Sequence, residues 1–211
     1  MSLHGRTNYN KSVLRESDVT QGPVELFRDW VEDAVKRDLP DATAFALSTL
    51  DPHGFPHGRI VLLRELIEGD LVFYTNYLSE KGRDLGRHPL AGATFFWPQL
   101  ERQIRVRGEV VRVSPDMSDA YFASRPRESQ LGAWASHQSE RVDSREAIDE
   151  ALQAAEMRFQ GAGVPRPPHW GGYALRPMRM EFWQGRPSRL HDRLSFVRSD
   201  AGSWDLHRLQ P

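Results

Sequence analysis

Cysteine is absent from all 211 residues, which excludes disulfides, thiolate metal sites, cysteine nucleophiles and redox thiol pairs together. Redox chemistry would then require a bound cofactor. Lysine is scarce, occurring only at Lys11, Lys36 and Lys81, so arginine, whose planar fork grips phosphate or carboxylate, supplies nearly all of the positive charge. No window approaches the ~18 apolar residues of a membrane span. The opening MSLHGRTNYN has no apolar signal-peptide core, and a cytoplasmic location is the expectation. With 29 acidic and 28 basic residues the formal charge is -1, so neither nucleic acid nor a membrane is expected as a partner, and any anion site must be local.

Familiar signatures are missing as well. There is no GxGxxG between strand and helix, no GxxxxGK[ST], no HExxH and no GxSxG, which leaves nucleotide, zinc-protease and hydrolase readings without support and gives no metal site. His191-Asp192 is not a relay, because neighbours on an extended chain point to opposite faces. What is present, 39% hydrophobic and 27% charged residues, is ordinary globular composition.

Residues 1–21 are polar and nonperiodic, and read as a flexible N-terminal segment preceding one domain over 22–211. Pro23 opens a helix with Phe27, Trp30, Val31, Ala34 and Val35 at helical spacing. Short apolar or alternating runs follow at 43–50, 57–65, 71–75, 90–97 and 102–114, separated by turn signals. Ser79 caps a short helix ending before Pro89, Ser114-Pro115 opens another, and Asp143 with Glu146 starts a longer one over about 144–159. Strands at about 173–183, 193–199 and 203–208 close the chain, the last two joined through Asp200-Ala201-Gly202. The fold class is therefore mainly β with flanking helices (α+β), a closed or nearly closed antiparallel barrel rather than a doubly wound sheet.

Three groups of residues carry the candidate chemistry. Arg59, Tyr74, Thr75 and Lys81 lie on consecutive elements and suit a phosphate, with the apolar run after Arg59 ready to pack under a flat ligand. Tyr121, Arg125 and Ser129 are spaced by four, although Pro126 interrupts a regular helix, and could converge on a second anion. Gln138-Ser139, Trp183, Arg189, His191 and Arg193 form the third, and Arg189, His191 and Arg193 share a face if their segment is extended. A solvated edge strand would carry the same pattern.

In order along the chain, RIVLLR, FYTN with SEKG, LERQIRVRG, YFASRPRESQLGAW, HQS and EFWQGRPSRLHDR resemble the pyridoxamine 5'-phosphate oxidase family from about residue 20 to the end. The resemblance implies an FMN-binding split barrel of Greek-key type and a homodimer with FMN at the subunit interface. It also implies oxidation of pyridoxine or pyridoxamine 5'-phosphate to pyridoxal 5'-phosphate with dioxygen. It places Arg59, Ile60, Val61, Leu62, Leu63, Arg64, Tyr74, Thr75, Lys81, Gln103, Gln138, Ser139, Trp183 and Arg193 at FMN. It places Arg64, Tyr121, Arg125, Ser129, Arg189, Leu190 and His191 at the substrate, with Arg189 and His191 beside the reacting ring. Arg6 and Tyr9 match a segment that covers the site.

Two positions depart from the family pattern. Arg64 stands where lysine is usual, preserving charge. Glu80 stands where a cation is usual, so Glu80 is expected to turn away and Arg83 to fill in. The alternatives that the residues leave open are a related flavin oxidase of a phenazine-type precursor and a noncatalytic flavin- or pyridoxal phosphate-binding module.

Overall fold

The computed structural model describes residues 8–211; Arg6 lies outside them. Helix α1 (Pro23–Lys36) begins where Gly22, at φ 89°, turns the chain and Pro23 takes the first helical position, where its missing N–H costs nothing. Leu26, Phe27, Trp30 and Ala34 bury its inner face. Val35, expected on that stripe, is half exposed, because it lies ~100° of helical rotation beyond Ala34.

The strands are β1 (Ala44–Leu50), β2 (Pro56–Leu62), β3 (Glu65–Ile67), β4 (Asp70–Asn76), β5 (Leu90–Trp97), β6 (Arg102–Arg112), β7 (Trp170–Gln184), β8 (Asp192–Arg198) and β9 (Trp204–Arg208). Every pairing is antiparallel. The order is β2-β1-β5-β6-β7-β4-β3, with β8 and β9 added beyond β7. This is more than the meander expected from sequence, since β4 pairs with β7 rather than β5. The sheet curls until its ends meet at one peptide: Leu63 N donates to Thr43 O before β1, and Arg64 N donates to Val72 O on β4. The chain thus changes partner strand between adjacent residues, which makes the sheet a split barrel.

Four further helices flank it: α2 (Glu80–Arg87), α3 (Pro115–Ser124), α4 (Arg127–Ala135) and α5 (Arg145–Arg158). Ser79, Ser114 and Ser144 each accept a backbone N–H at an N-terminus, so the cap of α5 is Ser144 rather than Asp143. Helix α4 was not expected. Pro126 does break the run, but it then caps a new helix, because proline is tolerated at helix starts.

Alternating residues of the strands fill the barrel with Phe45, Leu47, Phe73, Phe95, Ile104, Leu175 and Phe182, closed at one side by α1. A separate small core joins Phe122, Leu131, Ala155, Phe159, Val164 and Trp170. It holds the helical layer against the strand ends, leaving a space between the two. Among the described residues no helix is long and apolar enough to cross a membrane.

Candidate active site

A cleft of about 630 Å³ opens between β2 and β4 on one side and α3, α4 and the turn after α4 on the other. Arg59, Ile60, Val61, Leu62 and Arg64 line it with Tyr74, Thr75, Lys81 and Gln138, and Tyr121, Arg125 and Ser129 complete the wall. The first two residue groups proposed from sequence therefore share one cavity. Four of its lining residues are cations and none is a carboxylate.

At one end Lys81, only 8% exposed, donates to Ser79 Oγ and Gln138 Oε1, each at 3.3 Å. Thr75 Oγ1 donates to the same Gln138 oxygen at 3.4 Å. Burial, then Arg59, push the Lys81 pKa down, and burial does the same to Arg59. Asp84 Oδ2 lies 3.6 Å from Arg59 Nη2, whereas the buried charge of Lys81 is costly until an anion joins it. Arg59 Nη2 is buried without a hydrogen-bond partner among the described residues.

At the other end Arg125 lies over the Trp170 ring, 4.6 Å from its centroid, and its pKa is lowered mainly by burial. Its Nη1 is the second buried nitrogen without a partner among the described residues. Tyr74 and Tyr121 stack with centroids 3.8 Å apart, Trp170 parallel beside them. Burial, then the hydrogen bond that its hydroxyl donates to Glu65, raise the Tyr74 pKa. Two unpartnered guanidinium nitrogens in one cleft, with apolar wall between, fit a pair of anionic groups joined to flat rings.

Of the third group Gln138 lines the cleft and the rest lies elsewhere. Gln103, Trp183 and Arg193 form one row across β6, β7 and β8 and so share a face, but none of them lines the cleft. Arg193 is instead paired with Glu181 at 2.8 Å. Arg189 and His191 do not lie with Arg193 on an extended strand: Pro187–Arg189 is a tight turn with Ser188 and Arg189 at φ 57° and 62°, and β8 begins only at Asp192. Arg189 and Leu190 are exposed. The His191 ring packs on Trp183, 4.7 Å between centroids, and on Tyr9 at 5.7 Å.

His191 Nδ1 lies 3.1 Å from the Arg186 backbone nitrogen. That N–H can only donate, so Nδ1 accepts and the neutral ring carries its proton on Nε2. Burial, then the Arg189 charge, lower its pKa. Residues 8–21 run along the same face: Lys11 N donates to Glu101, Leu14 N to Asp192, and Arg208 grips Glu16 at 2.7 Å.

Residues 31–160 match the sequence model of the family described as Pyridoxamine 5'-phosphate oxidase. The chain belongs to the pyridoxamine 5'-phosphate oxidase family. Residues 170–211 match the family's Pyridoxine 5'-phosphate oxidase C-terminal dimerisation region, which supports homodimer formation. A pyridoxine/pyridoxamine 5'-phosphate oxidase of Synechocystis sp. is 51% identical over 98% of this chain and 96% of its own. One of Neisseria meningitidis serogroup C is 49% identical over the full length of both. Among solved structures, PhzG from Burkholderia lata 383, in complex with tetrahydrophenazine-1-carboxylic acid, superposes with TM-score 0.87 at 29% identity, covering 94% of this chain and 98% of that one. An FMN binding protein from Nostoc punctiforme, 20% identical with TM-score 0.72 over 91% of this chain and all of its own, shares the fold.

Against the family pattern, Glu80 does turn away: its carboxylate lies 3.5 Å from His57 Nε2 and is half exposed. Arg83 does not replace the missing cation. It is exposed, donates to Leu78 O and stays out of the cleft. The cleft reaches four cations without it, because Arg64 and Arg125 come in from other elements. Leu63, just after β2, is buried in the barrel core rather than the cleft. Ser139 is exposed in a turn at φ 72° and does not line the cleft, although Gln138 does.

Sequence reasoning missed Asn76, Gly132, Ala133, Ser136 and Trp170 as lining residues. Asn76 ends the FYTN motif and could have been found there. Trp170 follows a Pro-rich stretch and precedes the strand expected from about 173, and nothing local signals that β7 starts at it.

Proposed function

We propose that this chain is an FMN-dependent oxidase that converts pyridoxine 5'-phosphate or pyridoxamine 5'-phosphate to pyridoxal 5'-phosphate. The observation that carries this reading is the pair of buried, unpartnered nitrogens, Arg59 Nη2 and Arg125 Nη1, in one cleft. Arg59 and Lys81 take the flavin phosphate, Thr75 and Gln138 orient Lys81, and Ile60 to Leu62 support the ring. Arg64, Tyr121, Arg125 and Ser129 take the substrate phosphate. A phenazine-type precursor would bring at most a carboxylate, in place of the more highly charged phosphate that Arg64, Tyr121, Arg125 and Ser129 suit together, which disfavours that alternative.

The chemistry FMN supplies when bound is acceptance of a hydride equivalent from the substrate C4' carbon, with dioxygen as the final acceptor and hydrogen peroxide as product. The chain's own residues bind and orient. Gln103, Trp183, Arg189, His191 and Arg193 lie away from the cleft of their own subunit and complete the cleft of the homodimer partner, so FMN sits at the interface. There His191 acts as a neutral Nε2–H donor to the substrate ring and Arg189 fixes that ring. The segment around Tyr9 covers this face.

The test is anaerobic mixing of the FMN-loaded protein with a phosphorylated substrate, pyridoxine or pyridoxamine 5'-phosphate, and in a separate sample with unphosphorylated pyridoxine. The yellow flavin absorbance should bleach with the first and persist with the second. Loaded protein that stays yellow with both phosphorylated substrates would rule the oxidase out.

A further inference from the structure

Arg59 reaches the cleft through contacts with two residues that the oxidase reading does not use. Its Nη1 donates to Thr49 Oγ1 at 2.7 Å and to Leu47 O at 3.2 Å. The Thr49 hydroxyl, accepting from Arg59, donates its own hydrogen to Asp84 Oδ2 at 2.7 Å. Its other acceptor, His57 O, is more distant at 3.4 Å. The direction of the chain is therefore set: guanidinium to hydroxyl to carboxylate.

Thr49 and Asp84 are 2% and 3% exposed, and they come from β1 and α2, while Arg59 comes from β2. Asp84 Oδ2 stands 3.6 Å from Arg59 Nη2, beyond hydrogen-bond reach. His57 Nδ1, at 3.3 Å from the same oxygen, steadies the carboxylate from its other side. Arginine and a buried carboxylate ordinarily close into a two-bond fork. Here the threonine hydroxyl is interposed, so the carboxylate balances the guanidinium while Nη2 stays unpartnered.

We propose that Thr49 and Asp84 are positioning residues that hold the Arg59 guanidinium at the cleft wall toward the flavin phosphate, and so set the preference for phosphorylated over unphosphorylated flavin. This rests on the cleft being the flavin seat. A carboxylate this close could instead merely compete with the phosphate for Arg59, and the two roles move affinity in opposite directions.

Flavin fluorescence quenching on the purified full chain, with FMN and with riboflavin, separates them. Thr49→Val and Asp84→Asn should each raise the FMN dissociation constant about tenfold, the scale of a lost hydrogen bond to a charged group. The riboflavin constant should stay within about twofold, Thr49→Ser should behave as the wild type, and either change should add little once Arg59→Gln is present. Equal weakening of both flavins would reduce the pair to a structural role, and unchanged or tighter FMN binding would make Asp84 a competitor; either result overturns the proposal. A wild type with no preference for FMN over riboflavin would instead overturn the seat itself.

Discussion

Arg125 is partly desolvated and already seated against two aromatic rings, with Trp170 4.6 Å and Phe122 5.5 Å from its guanidinium. Binding a phosphate there adds charge-assisted hydrogen bonds at little ordering cost. We expect Arg125→Gln to raise the KM for pyridoxine 5'-phosphate at least about tenfold with kcat nearly unchanged, because the contact is made equally in ground and transition states. Steady-state kinetics at saturating FMN measure this. His191 gives a pH prediction. Its folded pKa lies below the ordinary ~6.5, so its neutral form stabilises the loop fully above that value and the stabilisation is lost as pH falls through the lowered pKa. The kcat/KM profile should run flat down past ~6.5 before an acid limb appears, and His191→Asn should remove that limb. An acid limb that persists in the variant would assign it to another group.

At the level of elements, the three serine caps look alike in sequence but differ in what they hold. Ser79 is fully buried, donates to Asn76 O at 2.7 Å, and accepts from both Gly82 N and Lys81 Nζ. Ser144 accepts only Ala147 N at an exposed helix start. We expect Ser144→Ala to cost about 1 kcal/mol in a denaturant melt with FMN affinity intact. Ser79→Ala should cost at least as much and also weaken FMN, measured by the same quenching titration. Gly82 is equally fixed, since a Cβ there would meet Tyr77 O at 2.2 Å.

Those elements also show what sequence could reveal. Caps, prolines and period-two alternation are local signals, and α1, α2 and most strands are legible from them. Helix α4 was not, because Pro126 signals both the end of one helix and the start of the next. The pairing of β4 with β7 was not either: their partner residues, Phe73 with Tyr173 for example, are separated by four helices and two strands. The expected grouping of Arg59, Tyr74 and Lys81 held for a different reason, the curling of the sheet and its strand switch at Leu63 and Arg64.

For the whole molecule, a formal charge of -1 conceals a cleft with four cations, so attraction for its ligands is local. The Gln103, Trp183 and Arg193 row illustrates a limit of another kind. Motif order identified these residues, yet spacing alone could not say that they face away from the cleft of their own chain. Their service to a second subunit is a property of assembly. It is tested by pairing an Arg125→Gln subunit with an Arg189→Gln subunit in one purified heterodimer and measuring its oxidase rate at pyridoxine 5'-phosphate well below the wild-type KM, where the raised KM of Arg125→Gln slows its homodimer. If each site joins the cleft of one chain to the 183–193 face of the other, one site is intact and the heterodimer should recover about half of the wild-type rate, well above either variant homodimer. A heterodimer no more active than those homodimers would contradict the shared site.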